Sequence, residues 1–432
     1  MNPTIDRNQS LKKIAFLRTL RRELNFLRIM SPIHLSANGA KQTSKFYSLA
    51  GNPATLGCLE SQLKQKIETK GSLSFYDWME QCLYHPQFGY YCSGKSKVGK
   101  QGDFFTSVSV GPLFGKLLAQ KIINLAEIAQ TSKQSPLNIL ELGANSGDLA
   151  KDVLDTLANE APELYQNCHY LISEPLEQMQ AIQCETLQDH EGVVQHVALE
   201  NLQSLVGYTL FLNNELIDAF PVRLLVRDGD QWLERRVVID SDGEFCWTHM
   251  PIENDETLQF VENLGSSYPD GYLTEFRPNL EPFAQKLSSV IQEGCVLSID
   301  YGYSHSEFYA QHRKTGTLRT YCQHEAGENP LENLGCLDIT AHVDFSQWAK
   351  ALQKHGFAAT QFERQASYLT QLASPLFQKL ETQGAAIEPS LIRQFQTLTH
   401  PSMLGNKFFV LEAHKGKNPD PAALARLELV TK

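Results

Sequence analysis

The sequence lacks the features that mark membrane proteins, secreted disulfide proteins and zinc ribbons. No uninterrupted apolar run approaches the roughly 18 residues that a membrane-spanning helix needs. The nine cysteines are odd in number and scattered, and none forms a C-x-x-C pair. This spacing argues against a disulfide framework and against a zinc ribbon. We therefore expect reduced thiols and no bound metal.

Apolar residues are plentiful, but charge is unevenly distributed. With 42% hydrophobic residues in a chain of 432, there is enough material for a large core in roughly two or three domains. Residues 1–50 hold nine Lys or Arg and two acidic residues, a net charge of +7, so the rest carries −18 of the total of −11. A body this acidic argues against nucleic-acid binding and fits either a basic protein substrate or plain solubility. The sequence carries no signal for an oligomeric state.

Residues 1–55 are predicted to be a basic extension or targeting segment followed by a linker. Residues 11–30 place four leucines on one helical face, and this stretch is rich in arginine and poor in acids. The pattern is typical of a mitochondrial transit peptide, and equally of an N-terminal extension on a bacterial protein or of an overlong predicted start. The first interpretation predicts the mitochondrial matrix and the second the cytoplasm, and all three remain open.

From residue 56 the chain reads as globular, with strands and helices in alternation. The predicted strands are 137–142, 169–174, 208–212 and 295–300, and the helices around them are 112–130, 148–159, 175–188 and 280–292. This alternation predicts an α/β fold with a parallel, doubly wound sheet. Short β-like runs at Leu224–Arg227, Trp232–Ile239 and Glu244–His249 predict antiparallel additions to it. Further helices are expected at 56–69, 74–84, 345–356 and 366–397, and a last strand at 407–412.

This pattern divides the chain into consecutive units. The predicted units are an N-terminal helical and loop segment at 56–133, a core at 134–345 with an insertion at about 222–280, a C-terminal helical segment with the last strand at 346–414, and a tail at 415–432.

The first chemistry-bearing motif lies where strand 137–142 meets its helix. Glu141 ends the strand, Gly143 and Gly147 flank a tight turn, and Asp148 starts the helix. Glycine lets the backbone approach a ligand, and the new helix offers free N–H groups. A dinucleotide site would have G-x-G-x-x-G, but here an acid stands where a pyrophosphate should lie. A cationic, phosphate-free ligand such as S-adenosylmethionine suits this acidic rim better. We expect Glu141 to face the ligand, and the alternative is a solvent-side scaffolding role.

A second acid, Glu174, ends the next predicted strand. An acid at this place can accept hydrogen bonds from both hydroxyls of a ribose. The alternative is a carboxylate that caps the helix after Pro175.

The third motif follows strand 208–212. It delivers Asn214 and Glu215 to the carboxyl edge of the sheet, where ligands bind in open α/β folds, and Asp218 lies three residues further on. Paired carboxylates there can hold a guanidinium and accept its proton as a methyl group arrives. Otherwise these acids cap the turn before Pro221.

Residues 89–96 match the P-loop expression G-x-x-x-x-G-K-[ST], but their context does not. A P-loop follows a buried strand and opens a helix. Here His85-Pro-Gln-Phe precedes the match, and Lys97-Val-Gly-Lys-Gln-Gly follows it. We therefore do not expect a nucleotide site.

From Leu56 to Leu411 the motifs resemble the MidA-like proteins, a family that includes the mitochondrial complex I assembly factor with arginine methyltransferase activity. The motifs that carry this resemblance, in order, are Ser74-Phe-Tyr-Asp-Trp-Met, Cys82-Leu-Tyr-His-Pro-Gln-Phe-Gly-Tyr-Tyr91, Gly102-Asp-Phe-Phe-Thr-Ser107, Gly111-Pro-Leu-Phe-Gly115, Glu141-Leu-Gly, Asn214-Glu-Leu-Ile-Asp-Ala-Phe-Pro-Val-Arg223, Trp232-Leu-Glu-Arg-Arg-Val237, Ile299-Asp-Tyr-Gly302, Gly316-Thr-Leu-Arg-Thr-Tyr321 and Asp338-Ile-Thr-Ala-His-Val-Asp-Phe345. The chain departs from the family's E-x-G-P-G-R-G at Asn145. Asn in place of Gly either narrows the donor pocket or occupies a left-handed position, a conformation that Asn tolerates better than most residues.

The resemblance implies a Rossmann-like class I methyltransferase with S-adenosyl-L-methionine as cofactor and a complex I subunit as protein substrate. Donor-binding candidates are Glu141, Gly143, Gly147 and Glu174, with Asp103 and Thr106 closing over the donor. Acceptor-side candidates are Asn214, Glu215 and Asp218. Two alternatives stay open, a catalytically weak assembly factor with a methyltransferase fold and a small-molecule methyltransferase. Three late residues have plainer interpretations: Asp344 as a helix cap, His342 as a hydrogen-bonded structural histidine, and Arg319 as the partner of a buried acid.

Overall fold

The computed structural model describes residues 53–93, 106–132, 135–322, 325–327, 329–382 and 388–429. The expectations for the basic segment at 1–50, for Asp103 and for Lys95 lie outside these residues. No helix within the described ranges is long and apolar enough to cross a membrane.

The helices are α1 Pro53–Lys70, α2 Phe75–Tyr84, α3 Leu113–Ile128, α4 Asp148–Glu160, α5 Pro162–Gln166, α6 Glu177–Thr186, α7 Asp255–Leu264, α8 Leu280–Val290, α9 His305–Phe308, α10 Phe345–Lys354, α11 Gln365–Thr382, α12 Pro389–Thr399 and α13 Pro421–Arg426. The strands are β1 Leu73–Ser74, β2 Leu137–Leu142, β3 Cys168–Ser173, β4 Val194–Val197, β5 Leu205–Asn214, β6 Arg223–Asp228, β7 Gln231–Ile239, β8 Phe245–Pro251, β9 Leu273–Phe276, β10 Ile291–Tyr303, β11 Arg319–Cys322, β12 Glu325–Gly327, β13 Asp338–Thr340, β14 Val343–Asp344, β15 Phe357–Arg364 and β16 Phe408–Lys415.

The central sheet has the order β15-β16-β10-β5-β2-β3-β4, and β14 pairs with β10. From β4 to β10 neighbouring strands are parallel, whereas β16 is antiparallel to both β10 and β15. Every residue of β2 is buried, as expected for a strand covered on both faces. The predicted parallel, doubly wound sheet is confirmed, and it brings the carboxyl ends of β2, β3, β5 and β10 to one edge.

Local sequence explains where the elements around that edge begin. Helix α4 buries Leu149, Val153 and Leu157 on one face, which the i, i+4, i+8 spacing predicts. The Ser74 hydroxyl accepts the N–H of Asp77 and caps α2, and the Asp344 carboxylate accepts the N–H groups of Ser346 and Gln347 at the start of α10. The cap predicted at Asp344 is confirmed.

The stretch between β5 and β10 forms a second, antiparallel sheet. Its order is β1-β7-β6-β9, and β8 pairs with β7. The three β-like runs predicted at 222–274 are therefore confirmed as β6, β7 and β8. A small third sheet, β12-β11-β13, lies beyond β10 and was not predicted.

The C-terminal part differs from the predicted elements in three respects. The single helical stretch expected at 366–397 is two helices, and Pro389 opens the second because proline suits the first turn of a helix. Strand β15 was not predicted, although it completes the sheet by pairing with β16. The tail at 415–432, for which no helix was predicted, contains α13, and the Asp420 side chain caps this helix. The division of the chain into units remains a prediction.

Candidate functional site

A cavity of about 1290 Å³ opens at the carboxyl edge of the central sheet. Its walls come from the segments after β2, β3, β5 and β10, from the end of α2 and the loop that follows, and from the strands β11 and β13. Eight of the nine predicted site residues belong to the described chain. Seven of these eight line the cavity, namely Thr106, Glu141, Gly143, Glu174, Asn214, Glu215 and Asp218. The eighth residue, Gly147, is the N-cap of α4, directly before the helix begins.

The turn after β2 is left-handed at three positions. Gly143, Asn145 and Gly147 have φ angles of 73°, 47° and 87°. A Cβ atom at Gly143 would lie 3.3 Å from the Cδ1 atom of Leu216, a contact tight enough that Leu216 would have to shift. Of the two interpretations of Asn145, the left-handed conformation is confirmed. The cavity is lined here by Gly143, Ala144, Asn145 and Ser146.

Glu141 is almost completely buried at the end of β2. Its Oε2 atom accepts a hydrogen bond of 2.7 Å from the Tyr170 hydroxyl. Burial raises the pKa of Glu141 to about 7, and the bond from Tyr170 partly opposes the rise. The carboxyl group is thus fixed in the wall and can take up or release a proton near neutral pH. A solvent-side role, one of the two interpretations, does not fit this burial.

Glu174 makes the contact that the capping interpretation predicts, and its position at the cavity is the one that the ribose-binding interpretation requires. Its Oε1 atom accepts the N–H of Leu176 at 3.0 Å, which stabilises the turn before α6, and the residue also lines the cavity. Burial raises the pKa of Glu174 to about 7, and the hydrogen bonds it accepts partly oppose this. The Glu174 carboxyl group therefore lines the cavity together with Gly143 and Asn145, at the ends of the neighbouring strands β3 and β2.

Gln183, on the buried face of α6, joins the two strand ends, and the sequence analysis missed it. Its Nε2 atom donates to the backbone oxygen of Asn145 at 2.7 Å and to Oε2 of Glu174 at 3.4 Å. Its Oε1 atom lies 2.8 Å from His196 Nε2. A glutamine among the apolar residues of a helix face was the only local signal for this role.

Asn214, Glu215 and Asp218 line the cavity from the end of β5 and the turn that follows it, next to β2 in the sheet. The Asn214 amide donates to Glu215 Oε1 at 3.1 Å. Burial and the charges of Asp218 and Asp338 raise the pKa of Glu215 to about 8. Burial also raises the pKa of Asp218, to about 6, but the Arg277 guanidinium opposes that rise. Two neighbouring acids thus titrate apart, a pattern common where one binds charge and the other exchanges a proton.

Glu215 has a backbone conformation that a sequence does not reveal. Its φ angle is 52°, in the left-handed region that non-glycine residues rarely adopt, and its N–H donates to the Ile299 oxygen at 2.9 Å. Such a conformation costs of order 1–3 kcal/mol and persists only where the surroundings impose it. It therefore sets the direction of the Glu215 side chain.

Aromatic hydroxyls and a further acid complete this side. The Tyr84 hydroxyl donates to the Ala219 oxygen at 2.9 Å, and the Tyr91 hydroxyl donates to Asp338 Oδ1 at 2.9 Å. The Tyr84 and Tyr91 rings stack with centroids 5.4 Å apart. Both tyrosines come from a family motif in the sequence, but no local pattern predicted that they would meet Asp338.

Three further predictions have outcomes here. Thr106 is buried, and its hydroxyl accepts the N–H of Ser109 at 3.3 Å. Arg319 is exposed at the cavity, and no acid among the described residues forms an ion pair with it; its Nη1 atom donates to the Leu318 oxygen. His342 is not the hydrogen-bonded histidine expected, because within the described residues its buried Nδ1 atom has no partner. Burial and nearby arginines lower the pKa of His342 to about 4, so the ring is neutral.

A second cluster, Cys295, Glu412 and His414, has the residue types of a metal site but lies outside the cavity. The Glu412 carboxylate already forms an ion pair of 2.7 Å with Lys121 and accepts a hydrogen bond of 2.8 Å from the Tyr368 hydroxyl. We assign this cluster a structural role.

The cavity suits S-adenosylmethionine chemically. Carboxyl groups at two strand ends favour a cationic, hydroxyl-bearing ligand, and Gly143 lines the cavity without a side chain. The turn itself, residues 143–147, contains no lysine or arginine that could bind a phosphate.

Comparisons with known proteins agree with this chemistry. A family model described as "Putative S-adenosyl-L-methionine-dependent methyltransferase" matches residues 117–363. A crystal structure from Burkholderia thailandensis, bound to S-adenosylhomocysteine and described as a "likely methyl transferase", superposes with a TM-score of 0.75 at 27% identity and covers 87% of this chain and 97% of that one.

Curated relatives extend the similarity over most of the chain. "Protein arginine methyltransferase NDUFAF7 homolog, mitochondrial" from Drosophila melanogaster is 28% identical over 399 residues, or 84% of this chain and 88% of the relative. "Protein arginine methyltransferase NDUFAF7, mitochondrial" from Danio rerio is 27% identical over 384 residues, 80% and 84% of the two chains. The family match spans more than half of the sequence. The sheet order and the cavity of this chain agree with it, and so does the S-adenosylhomocysteine bound in the Burkholderia structure. This chain belongs to the family of class I S-adenosylmethionine-dependent methyltransferases that the model describes, with S-adenosylmethionine as its cofactor.

Proposed function

We propose that this methyltransferase modifies an arginine nitrogen of a protein, with a core subunit of respiratory complex I as the candidate substrate. Glu141, Gly143, Gly147 and Glu174 are assigned to the donor, and Asp103 and Thr106 to the loop that closes over it. Asn214, Glu215 and Asp218 are assigned to the acceptor.

The observation that carries this proposal is the gathering of acids and tyrosines at the acceptor side. Glu215, Asp218 and Asp338 line one wall, within range of one another's charge, and Tyr84 and Tyr91 stack beside them. Carboxylates that repel one another favour a cationic ligand, and aromatic faces add a cation–π attraction. A guanidinium group fits both, and relatives that cover most of this chain are named as arginine methyltransferases.

When bound, S-adenosylmethionine supplies a methyl group on a positively charged sulfur. The work of the chain is to orient the acceptor nitrogen in line with the carbon–sulfur bond, to exclude water and to remove a proton. Asp218, with the lower pKa of the two acids, holds the guanidinium by charge-assisted hydrogen bonds. Glu215 accepts the proton that leaves the nitrogen as the new nitrogen–carbon bond forms. An incoming cation lowers the pKa of Glu215, so that the carboxylate forms when the acceptor binds.

The same relatives support a proposal about the location. The named relatives are mitochondrial proteins, and the basic, acid-poor segment at 1–50 has the composition of a transit peptide. We propose the mitochondrial matrix if the source is eukaryotic and the cytoplasm if it is bacterial.

The test is a methylation assay with labelled donor on the purified complex I subunit, run beside calorimetric titration of the donor. We expect label on arginine, and its loss when the accepting arginine of the subunit is changed to lysine. Donor binding without methylation of any arginine protein would instead support the assembly-factor alternative. Label on a small molecule alone would support the small-molecule alternative.

A further inference from the structure

Arg277 directly follows β9 and is buried. It is not among the residues that line the cavity, but its guanidinium binds the segments that form the acceptor side. Its Nη1 atom donates to the His342 oxygen at 3.0 Å, and Nη2 donates to the oxygens of Ala341 at 2.7 Å and Asp218 at 3.3 Å. Its Nε atom donates to the Phe220 oxygen at 3.3 Å. All four acceptors are backbone carbonyl groups from two loops far apart in sequence.

Asp300, near the end of β10, binds the same turn through its backbone N–H groups. Its Oδ2 atom accepts the N–H groups of Ile217 at 2.9 Å and Asp218 at 3.2 Å. Its Oδ1 atom accepts the N–H of Tyr301 at 2.8 Å. The residue is completely buried. A carboxylate and a guanidinium thus bind the N–H and the C=O groups of one turn.

These contacts connect the two parts of the acceptor wall. The N–H of Ala341 donates to the Asp218 oxygen at 3.0 Å, so that residues 217–220 and 341–342 form one hydrogen-bonded unit around Arg277. The turn begins directly after Glu215, whose left-handed conformation requires surroundings that impose it.

The charge of Arg277 is buried among acids whose carboxylates it does not touch. No carboxylate of the described chain forms an ion pair with its guanidinium, but the charges of Asp300, Asp218 and Glu275 favour its charged form and offset part of the cost of its burial. Backbone carbonyls could have been satisfied by neutral donors, whereas the planar guanidinium spans two loops and fixes their distance.

We propose that Arg277 and Asp300 are positioning residues that set the geometry of the acceptor wall. They hold the turn 217–220, and through it the Glu215 and Asp218 carboxylates, at a fixed distance from residues 341–342. The assignment to methyl transfer rests on the proposed function, but the structural part of the claim does not.

Arg277→Lys tests the proposal, because lysine keeps the charge and loses the planar fork. Displacement of a reacting group by about 1 Å can cost about 100-fold in rate, so we expect kcat for arginine methylation to fall at least about 10-fold with donor affinity within about 2-fold of the parent. Arg227→Lys is the matched control, since Arg227 is a buried arginine of β6 outside the cavity, and it should leave both values unchanged.

Amide hydrogen exchange gives a readout that does not depend on activity. In Arg277→Lys, exchange should quicken at 216–220 and 341–342 but not at 141–148, and the control should show neither change. Asp300→Asn serves if the lysine variant does not fold, because an amide nitrogen would then face backbone N–H donors. Unchanged exchange at 216–220, or an equal loss of protection at the donor turn, would overturn the proposal. Faster exchange in a protein whose parent methylates no arginine would keep the positioning role and refute the proposed function instead.

Discussion

The two ends of the cavity are built in different ways. The donor end comes from two neighbouring strands and their following turns, residues 141–148 and 173–183, and its acids are held by Tyr170, Gln183 and a backbone N–H. The acceptor end is collected from segments around 84–92, 214–220, 301–303, 317–321 and 338–342. The donor end therefore depends on local backbone shape, and the acceptor end depends on contacts between distant segments.

The acids at the two ends also differ in what perturbs them. Burial alone accounts for the raised pKa values of Glu141 and Glu174, both about 7. At the acceptor end, the charges of Asp218 and Asp338 add to burial, and the pKa of Glu215 rises to about 8. A cationic substrate would relieve the repulsion among the acids of the acceptor end, whereas the acids of the donor end are raised in pKa by burial alone. This difference between the two ends can be tested.

Glu215→Gln is the change with the largest expected effect, because it removes the proton acceptor and keeps the shape. Methyl transfer should fall by about 100-fold or more, the scale typical of a positioned base, while donor binding is retained. The measurement is labelled methyl transfer beside calorimetric titration of the donor. Glu293→Gln, on the exposed opposite end of β10, is the control. Full activity in the Glu215 variant would remove this residue from the proposed mechanism.

Glu174→Ala should affect the donor end of the cavity. Loss of charge-assisted hydrogen bonds of about 1–3 kcal/mol would weaken donor binding by roughly 5- to 150-fold. Glu177→Ala, at the exposed start of α6, should leave the affinity unchanged. The measurement is donor titration, with thermal unfolding to confirm that the variant is folded. An unaltered donor affinity in a folded Glu174 variant would assign this residue to the turn alone.

The pH dependence of kcat/KM should report the acceptor end. A carboxyl group with a pKa of about 8 is mostly protonated at pH 7 and cannot accept a proton, so kcat/KM should rise by about tenfold between pH 7 and pH 9 and then level off. In Glu215→Gln this rise should disappear, whereas in Glu174→Ala it should remain. A rise that persists in the glutamine variant would mean that another group is being titrated.

Asn145→Gly should have the smallest effect of the four. Glycine adopts the left-handed conformation at no steric cost, and the Gln183 bond goes to the backbone oxygen, which the substitution keeps. We expect the free energy of unfolding to change by less than about 1 kcal/mol and donor affinity by less than about 2-fold. Asn145→Val, by contrast, should destabilise the turn measurably, since a β-branched residue resists this conformation. Thermal unfolding with and without donor measures both.

The elements near the donor end were readable because each depends on neighbours in sequence. Strands β2, β3 and β5 appear as apolar runs that end in polar residues, and the glycines of the first turn mark where the chain must bend. The gathering of Glu141, Glu174 and Glu215 at one edge follows from parallel strands alone. The weaker predictions were in the C-terminal half, where β15 was missed and one helix proved to be two.

The sequence by itself determined the doubly wound sheet and the acids at the ends of its strands. It also determined the residue types that make the first turn left-handed. Periodicity, glycine placement and strand ends are local properties, and they fix which side of the sheet binds a ligand. Only the tertiary structure decided that Tyr91 would reach Asp338 and that Arg277 would join two loops. Those contacts link residues 59 to 247 positions apart, and no periodic pattern encodes such a distance.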